Sequence, residues 1–301
     1  MKQHCSVGVM AYNEEANIVA LLDRLLQQDV DCCRIQDIVV VASGCTDRTV
    51  PLVQNYVRQH PNISLIIQDQ RQGKASAINA FLEAVRSADL VVLESADTLP
   101  ADAHTVERLL QPLTDDSQIG MTGTHPVPVD SPDNFIGFVV NLQWAIHHSV
   151  AIKAPKLGEM VAFRNVLPEI PADTAVDEAC IEALLKLQGY RLHYAADALV
   201  QNKGPDTVHD FLKQRRRIAA GHHHLRRTQH YTVSTLNPLR TIASLMQEQM
   251  IWSPKGLFWT VGAIALEIYG RSLGLFDFYI RHKNPFTWEI ATTTKHVTPP
   301  K

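Results

Sequence analysis

Four short apolar runs, each ending in a small polar cluster, constrain this chain more than any other feature it carries. Ser6-Val7-Gly8-Val9-Met10 leads into Ala11-Tyr12-Asn13-Glu14-Glu15, and Ile38-Val39-Val40-Val41 leads into Ala42-Ser43-Gly44-Cys45-Thr46-Asp47. Ile63-Ser64-Leu65-Ile66-Ile67 precedes Gly73-Lys74, and Leu90-Val91-Val92-Leu93 ends in Glu94-Ser95-Ala96-Asp97. Runs of valine, isoleucine and leucine fit strands buried on both faces, and the segments between them carry apolar residues at helical spacing. The pattern predicts strands over 5–11, 37–43, 63–68 and 89–94. A helix is expected from about Asn13, capped by that side chain, with Ile18, Leu21, Leu22 and Leu25 turned inward. A second has Thr46 or Asp47 as its cap and Val50, Val53 and Val57 on its buried side, and a third spans 73–86. Such alternation builds a mostly parallel sheet flanked by helices, with ligands at the carboxyl ends of the strands.

Composition narrows the function classes. A chain of 301 residues buries a sizeable core, and 46% apolar with 20% charged residues is a globular balance. A formal charge of −3 supplies no general attraction to nucleic acid, which is not an expected partner. Five cysteines, with Cys32 and Cys33 adjacent, give neither a disulfide framework nor a zinc spacing. Met1-Lys2-Gln3-His4-Cys5 lacks the apolar core of a signal peptide, so the cytoplasm is the expected compartment.

The ordered set Ala11-Tyr12-Asn13-Glu14-Glu15, Ser43-Gly44-Cys45-Thr46-Asp47, Gly73-Lys74 through Asn79, and Ser95-Ala96-Asp97 resembles the family 2 glycosyltransferases. The likeness continues through Asp177-Glu178 and Gln214-Arg215-Arg216-Arg217-Ile218, over about residues 5–225. It implies a GT-A-type α/β fold and inverting transfer of a sugar from a nucleotide-diphosphate donor to an acceptor hydroxyl, aided by Mg²⁺ or Mn²⁺. The expected organisation is a catalytic domain over 1–230, a helical appendage over 231–284 and an extended tail over 285–301.

Breaking the bond between an anomeric carbon and phosphate builds charge on the departing diphosphate, which a cation held by carboxylate oxygens neutralises. The resemblance places the last aspartate of a D-x-D motif at Asp97, the expected metal ligand; the alternative is a turn, or a cap for a helix over 102–112. Ser95 replaces the first aspartate and leaves a hydroxyl for ribose or phosphate. Ala42-Ser43 stand where family members carry aspartates, so Ser43 is the remaining base contact, while Asp47 reads as a helix cap. Ala11, Tyr12 and Glu14 lie where the family holds base and ribose; Tyr12 either stacks on a base or packs in the core. Lys74, behind a glycine at a helix start, suits a phosphate or a polar sugar group. Arg71 is its weaker companion, and Asn79 supports the loop.

The resemblance also implies a base. Asp177-Glu178 opens a helix over 175–188 where family members show Glu-Asp, and counting back from Gly189 puts Glu178 at the catalytic position. Asp177 is the other candidate, and two acids favourably placed at a helix N-terminus are the structural alternative. Gln214 through Ile218, on a helix over 207–227, resembles Q-x-x-R-W with isoleucine for the tryptophan; Gln214 and Arg217 are expected at the diphosphate, with Arg215 and Arg216 unassigned. His222, His223 and His224 point about 100° apart on that helix and cannot converge on one ion, although one of them can reach the diphosphate.

Gly256 to Leu266 is strongly apolar and is then interrupted by Glu267, Arg271 and Asp277, short of the about 20 residues a span needs. Two readings stand side by side. One is an interfacial helix at the inner face of the cell membrane, with Trp252, Trp259, Phe276, Tyr279 and Trp288 near headgroups and a lipid-linked acceptor. The other is a helical pair packed on the catalytic domain or on a partner subunit. The altered motifs at Ala42, Ser95 and Asp177-Glu178 also admit a catalytically weakened nucleotide-sugar-binding protein.

Overall fold

The structure, a computed structural model, describes residues 2–284 together with Phe286, Thr287, Thr294 and Val297. The first half winds as β1 (His4–Ala11), α1 (Ile18–Leu26), β2 (Arg34–Ser43), α2 (Thr49–Gln59), β3 (Ile63–Gln68), α3 (Lys74–Ala84) and β4 (Leu90–Ser95). These strands lie parallel in the order β3-β2-β1-β4. Successive residues of each strand feed opposite cores. Val7, Val9, Ile38, Val40, Leu90 and Val92 pack on one face of the sheet, and Met10, Val39, Val41, Val91 and Leu93 on the other. That is why the runs lack polar alternation.

The second half continues through β5 (Thr98–Pro100), α4 (Thr105–Asp115), β6 (Ile119–Pro128), α5 (Phe135–Lys153), β7 (Val161–Arg164), α6 (Asp177–Leu187), β8 (Arg191–Asn202) and α7 (Val208–Gln229). The described strands form one mixed sheet in the order β3-β2-β1-β4-β7-β6-β8-β5, with β7 antiparallel to both β4 and β6. Chain direction across the sheet reverses its winding between β1 and β4, and such a switch point opens a crevice at the carboxyl ends of the strands. Register puts Met10 beside Ser95 and Ala11 beside Ala42, so the polar clusters share that rim.

Two local expectations need correction. No helix starts at Asn13: α1 begins at Ile18, and Asn13 takes a left-handed φ of 53°. Its Oδ1 instead accepts the Thr46 N–H at 2.7 Å, while the Glu14 N–H donates to Thr49 Oγ1 at 2.7 Å. These bonds knit the turns after β1 and β2 together and hold that rim in shape. The helix after β5 begins at Thr105, and Asp102 accepts the His104 N–H at 2.8 Å, so Asp97 has no capping role there. Asn79 does support a loop, holding the backbone of Ile170 through both its amide atoms at 2.8 Å.

After α7 the chain forms α8 (Pro238–Leu245) and α9 (Pro254–Tyr279). The charges that interrupt the apolar stretch of α9 face α7. Arg215 Nε lies 2.9 Å from Glu267 Oε2, and Arg216 Nη2 donates to Asp277 Oδ1 at 2.6 Å. Gly270 and Gly274 let the two helices approach closely; a Cβ at Gly274 would lie 2.6 Å from the Ala219 Cβ. Trp259 does not point outward as an anchor would. Its ring packs edge-on against Phe138 at 5.4 Å, because α5 offers it an apolar neighbour. Trp252, Phe276 and Tyr279 are exposed, whereas Trp288 lies outside the described residues. Among the described residues one helix, α5, is long and apolar enough to cross a membrane, and half of that stretch is buried in the fold. The expected tail over 285–301 falls largely outside the described residues; within it, Val297 is buried and its N–H donates to Asn17 Oδ1 at 3.1 Å.

Candidate active site

Every residue singled out from the sequence as a candidate for donor, metal or base lines one cleft of about 1070 Å³ at the switch point. Ala11, Tyr12, Glu14 and Ser43 come from the ends of β1 and β2, Ser95 and Asp97 from the end of β4, and Lys74 from the start of α3. Asp177 and Glu178 open α6, and Gln214 and Arg217 lie on α7 across from them. Arg71 stacks over the Tyr12 ring at 4.3 Å, and Glu14 is buried with its carboxylate accepting from Asn17 Nδ2 at 3.0 Å. The Ser43 hydroxyl is buried with no hydrogen-bond partner among the described residues, and Ser43 lines the cleft.

Lys74 joins the two halves of this site. Gly73 precedes it at a φ of 91°, a conformation open to glycine, and so α3 starts with its lysine directed across the rim. The ammonium donates to Ser95 Oγ at 2.9 Å and to Glu178 Oε1 at 2.5 Å. Burial would lower the lysine's pKa, but Glu178 and Asp177 outweigh it and push it up. Burial likewise opposes ionisation of Glu178, and the Lys74 contact reverses this and holds it below the usual carboxylate range. Asp177 is only 2% exposed and its Oδ1 has no partner among the described residues. Burial pushes its pKa up, Lys74 offsets part of that, and the Glu178 charge adds to it. One neighbouring acid is thus kept charged and the other biased towards its protonated form.

The Glycosyl transferase family 2 model matches residues 6–137, and the Glycosyl transferase family group 2 model matches residues 90–276. The chain belongs to the family 2 glycosyltransferases. A dolichyl-phosphate beta-glucosyltransferase of Trichomonas vaginalis is 36% identical over 99 residues, 31% of this chain and 30% of that protein. A poly-beta-1,6-N-acetyl-D-glucosamine synthase of Staphylococcus aureus is 24% identical over 224 residues, 70% of this chain and 53% of that one. The chain therefore spans about half or less of the length of these curated relatives. A mannosyltransferase from Pyrobaculum calidifontis, solved with GDP-Man and Mn²⁺, superposes with a TM-score of 0.59 at 23% identity, covering 99% of this chain and 85% of its own. Glucosyl-3-phosphoglycerate synthase of Mycobacterium tuberculosis, solved with Mn²⁺ and UDP, gives 0.52 at 20% identity, covering 77% and 82%. Both likenesses establish the GT-A fold.

Several cleft residues carry no motif. Glu159, in the loop before β7, sits at a φ of 60°, and burial with the Asp97 and Glu178 charges pushes its pKa up to about 7. Lys156 lies in the same loop, and Gln143, Trp144 and His147 reach the cleft from α5. A non-glycine residue in the left-handed region leaves no mark in sequence. Of the three histidines His222 alone lines the cleft, held neutral by burial and by the Lys156 and Arg215 charges. His223 stacks on Phe278 at 6.0 Å and His224 Nε2 lies 3.2 Å from Asp173, so the triplet diverges as its helical spacing dictates.

Proposed function

We propose that this chain transfers a sugar, with inversion, from a nucleotide-diphosphate donor to an acceptor hydroxyl in a single in-line displacement. The observation that carries the reading is the Lys74 ammonium bridging Ser95 and Glu178. One side chain thereby reaches both the expected position of the departing phosphate and the acid that would take the acceptor's proton. Arg217 and Gln214 face the same space and suit the diphosphate as a planar cation and an amide. The orphaned Ser43 hydroxyl suits the base.

Asp97 with the donor's own phosphate oxygens fits Mg²⁺ or Mn²⁺, hard cations that take one or two carboxylates plus substrate phosphate. Among the described residues no group of three or more His, Cys, Asp or Glu could hold a metal ion, so Asp97 would hold one only together with the donor's oxygens. When bound, it neutralises charge on the leaving diphosphate. Glu178, kept ionised by Lys74, is the proposed base and Asp177 its buried neighbour. The replacement Glu178→Gln is expected to lower kcat by about 10²–10⁴-fold with nucleotide affinity nearly unchanged. A larger loss in Asp177→Asn would move the role to Asp177, and full turnover in both variants would overturn the acid assignment.

The acceptor proposed is lipid-linked, with a glycan as the other possibility, met at the cytoplasmic face of a membrane. Ile242, Ile264 and Ile268 line the cleft and are also exposed, an apolar part of the lining that suits a lipid chain. Ser95 in place of a carboxylate favours one competing reading, a weakened enzyme that binds donor without turning it over; normal nucleotide binding without transfer or hydrolysis would select it.

A further inference from the structure

Glu182 lies one turn beyond Glu178 on α6 and is 0% exposed. Both its oxygens are engaged: Oε1 accepts the Leu157 N–H at 2.6 Å, and Oε2 accepts the Tyr231 hydroxyl at 2.8 Å. Leu157 belongs to the loop between α5 and β7, and Tyr231 follows the end of α7. Three residues on, Ser234 Oγ donates to the Ala154 carbonyl at 2.8 Å and ties that segment to the start of the same loop. The loop is pinned at Ala154 and Leu157, and between and just beyond these points it presents Lys156 and Glu159 to the cleft. Lys156 Nζ also donates to the Leu157 carbonyl at 2.9 Å. The left-handed backbone of Glu159 persists where surrounding contacts fix it.

A buried carboxylate is a poor way to gain stability, since well-packed apolar side chains hold two elements together at least as well. What it adds is direction. Two charge-assisted bonds from one side chain set the height of the loop against the helix that carries the acid pair.

We infer that Glu182 is a positioning residue that, through Leu157 and Tyr231, holds Lys156 and Glu159 on the acceptor side of the cleft in fixed relation to Asp177 and Glu178. The inference rests on the transferase reading above. The acceptor's polar head then meets a cation and an acid whose spacing Glu182 sets, without Glu182 touching either substrate.

The test uses Glu182→Gln, which keeps the side chain's shape, and Tyr231→Phe, which removes one of the two bonds. Turnover of UDP-glucose and GDP-mannose with Mn²⁺, nucleotide binding by calorimetry, thermal unfolding and hydrogen exchange over 154–160 are measured on the full chain. The expected result is a fall in kcat of about 10- to 100-fold with donor KM and nucleotide Kd unchanged, since a small misplacement at a site acts on the rate. Amide exchange over 154–160 rises about tenfold while that of the β1 and β4 strands stays put. Unchanged exchange over 154–160, or kcat, donor affinity and Tm falling together, would overturn the positioning role. A wild-type chain that neither binds nucleotide nor turns over donor would sink the transferase reading instead, and the exchange comparison would still decide whether Glu182 pins the loop.

Discussion

Lys74 and Glu94 show how neighbouring residues of one motif region come to behave in opposite ways. Lys74 is half-buried beside acids and gains charge stability from them; Glu94, pointing to the other side of β4, is buried with little to compensate it. Glu94 is 1% exposed, accepts a hydrogen bond from the Thr98 hydroxyl, and has an Oε2 with no partner among the described residues. Burial pushes its pKa from 4.5 up to about 8. The folded protein then keeps a proton on Glu94 where the unfolded chain has released it. The associated stability is full below about 4.5 and is lost as pH rises through about 8. Glu94→Gln stays neutral and retains the Thr98 bond. It is expected to stabilise the fold at pH 9 by about 1–3 kcal/mol and to change little at pH 5, as thermal unfolding at the two pH values would read. Equal Tm differences at both would contradict this.

At the scale of elements, α9 has two faces with different work. Its inner face, with Gly270, Gly274, Glu267 and Asp277, is clamped to α7, which carries Gln214 and Arg217 into the cleft. Its outer face leaves Phe258 at 77% and Val261 at 68% exposure, with Tyr279 also exposed. Lys255 at one end and Arg281 at the other add positive charge. A face of this kind suits the headgroup layer proposed above as the site of the acceptor. The full chain is expected to sediment with vesicles containing anionic lipid, and the double change Phe258→Glu with Val261→Glu should weaken that by about tenfold or more. Equal sedimentation of wild type and variant would remove the membrane proposal and leave the cleft chemistry untouched.

At the scale of the whole molecule, the parallel strands of the first half are legible in the sequence and the loops of the second half are not, for physical reasons. Strands buried on both faces announce themselves as unbroken runs, and β3 begins and ends at the residues expected, Ile63 and Gln68. The rim residues were legible because each follows such a strand within a few positions. The start of α1 was misplaced because Asn13, a good cap by type, bonds across to Thr46 in the neighbouring turn, a contact 33 residues away in the chain. Lys156, Glu159 and Glu182 escaped because their roles arise from a loop, a left-handed backbone and a bond between α6 and a distant amide. Glu267, Arg271 and Asp277 read as interruptions of an apolar helix, when Glu267 and Asp277 pair with Arg215 and Arg216 of α7. Donor binding decides whether the cleft is a nucleotide-sugar site. Calorimetry with UDP, GDP, dTDP and ADP, each with and without Mn²⁺, on wild type and Asp97→Ala, tests it most directly. The expected result is Mn²⁺-dependent binding of one nucleotide, at least about tenfold weaker in the variant. Binding of none of the four nucleotides by the wild-type chain would contradict it.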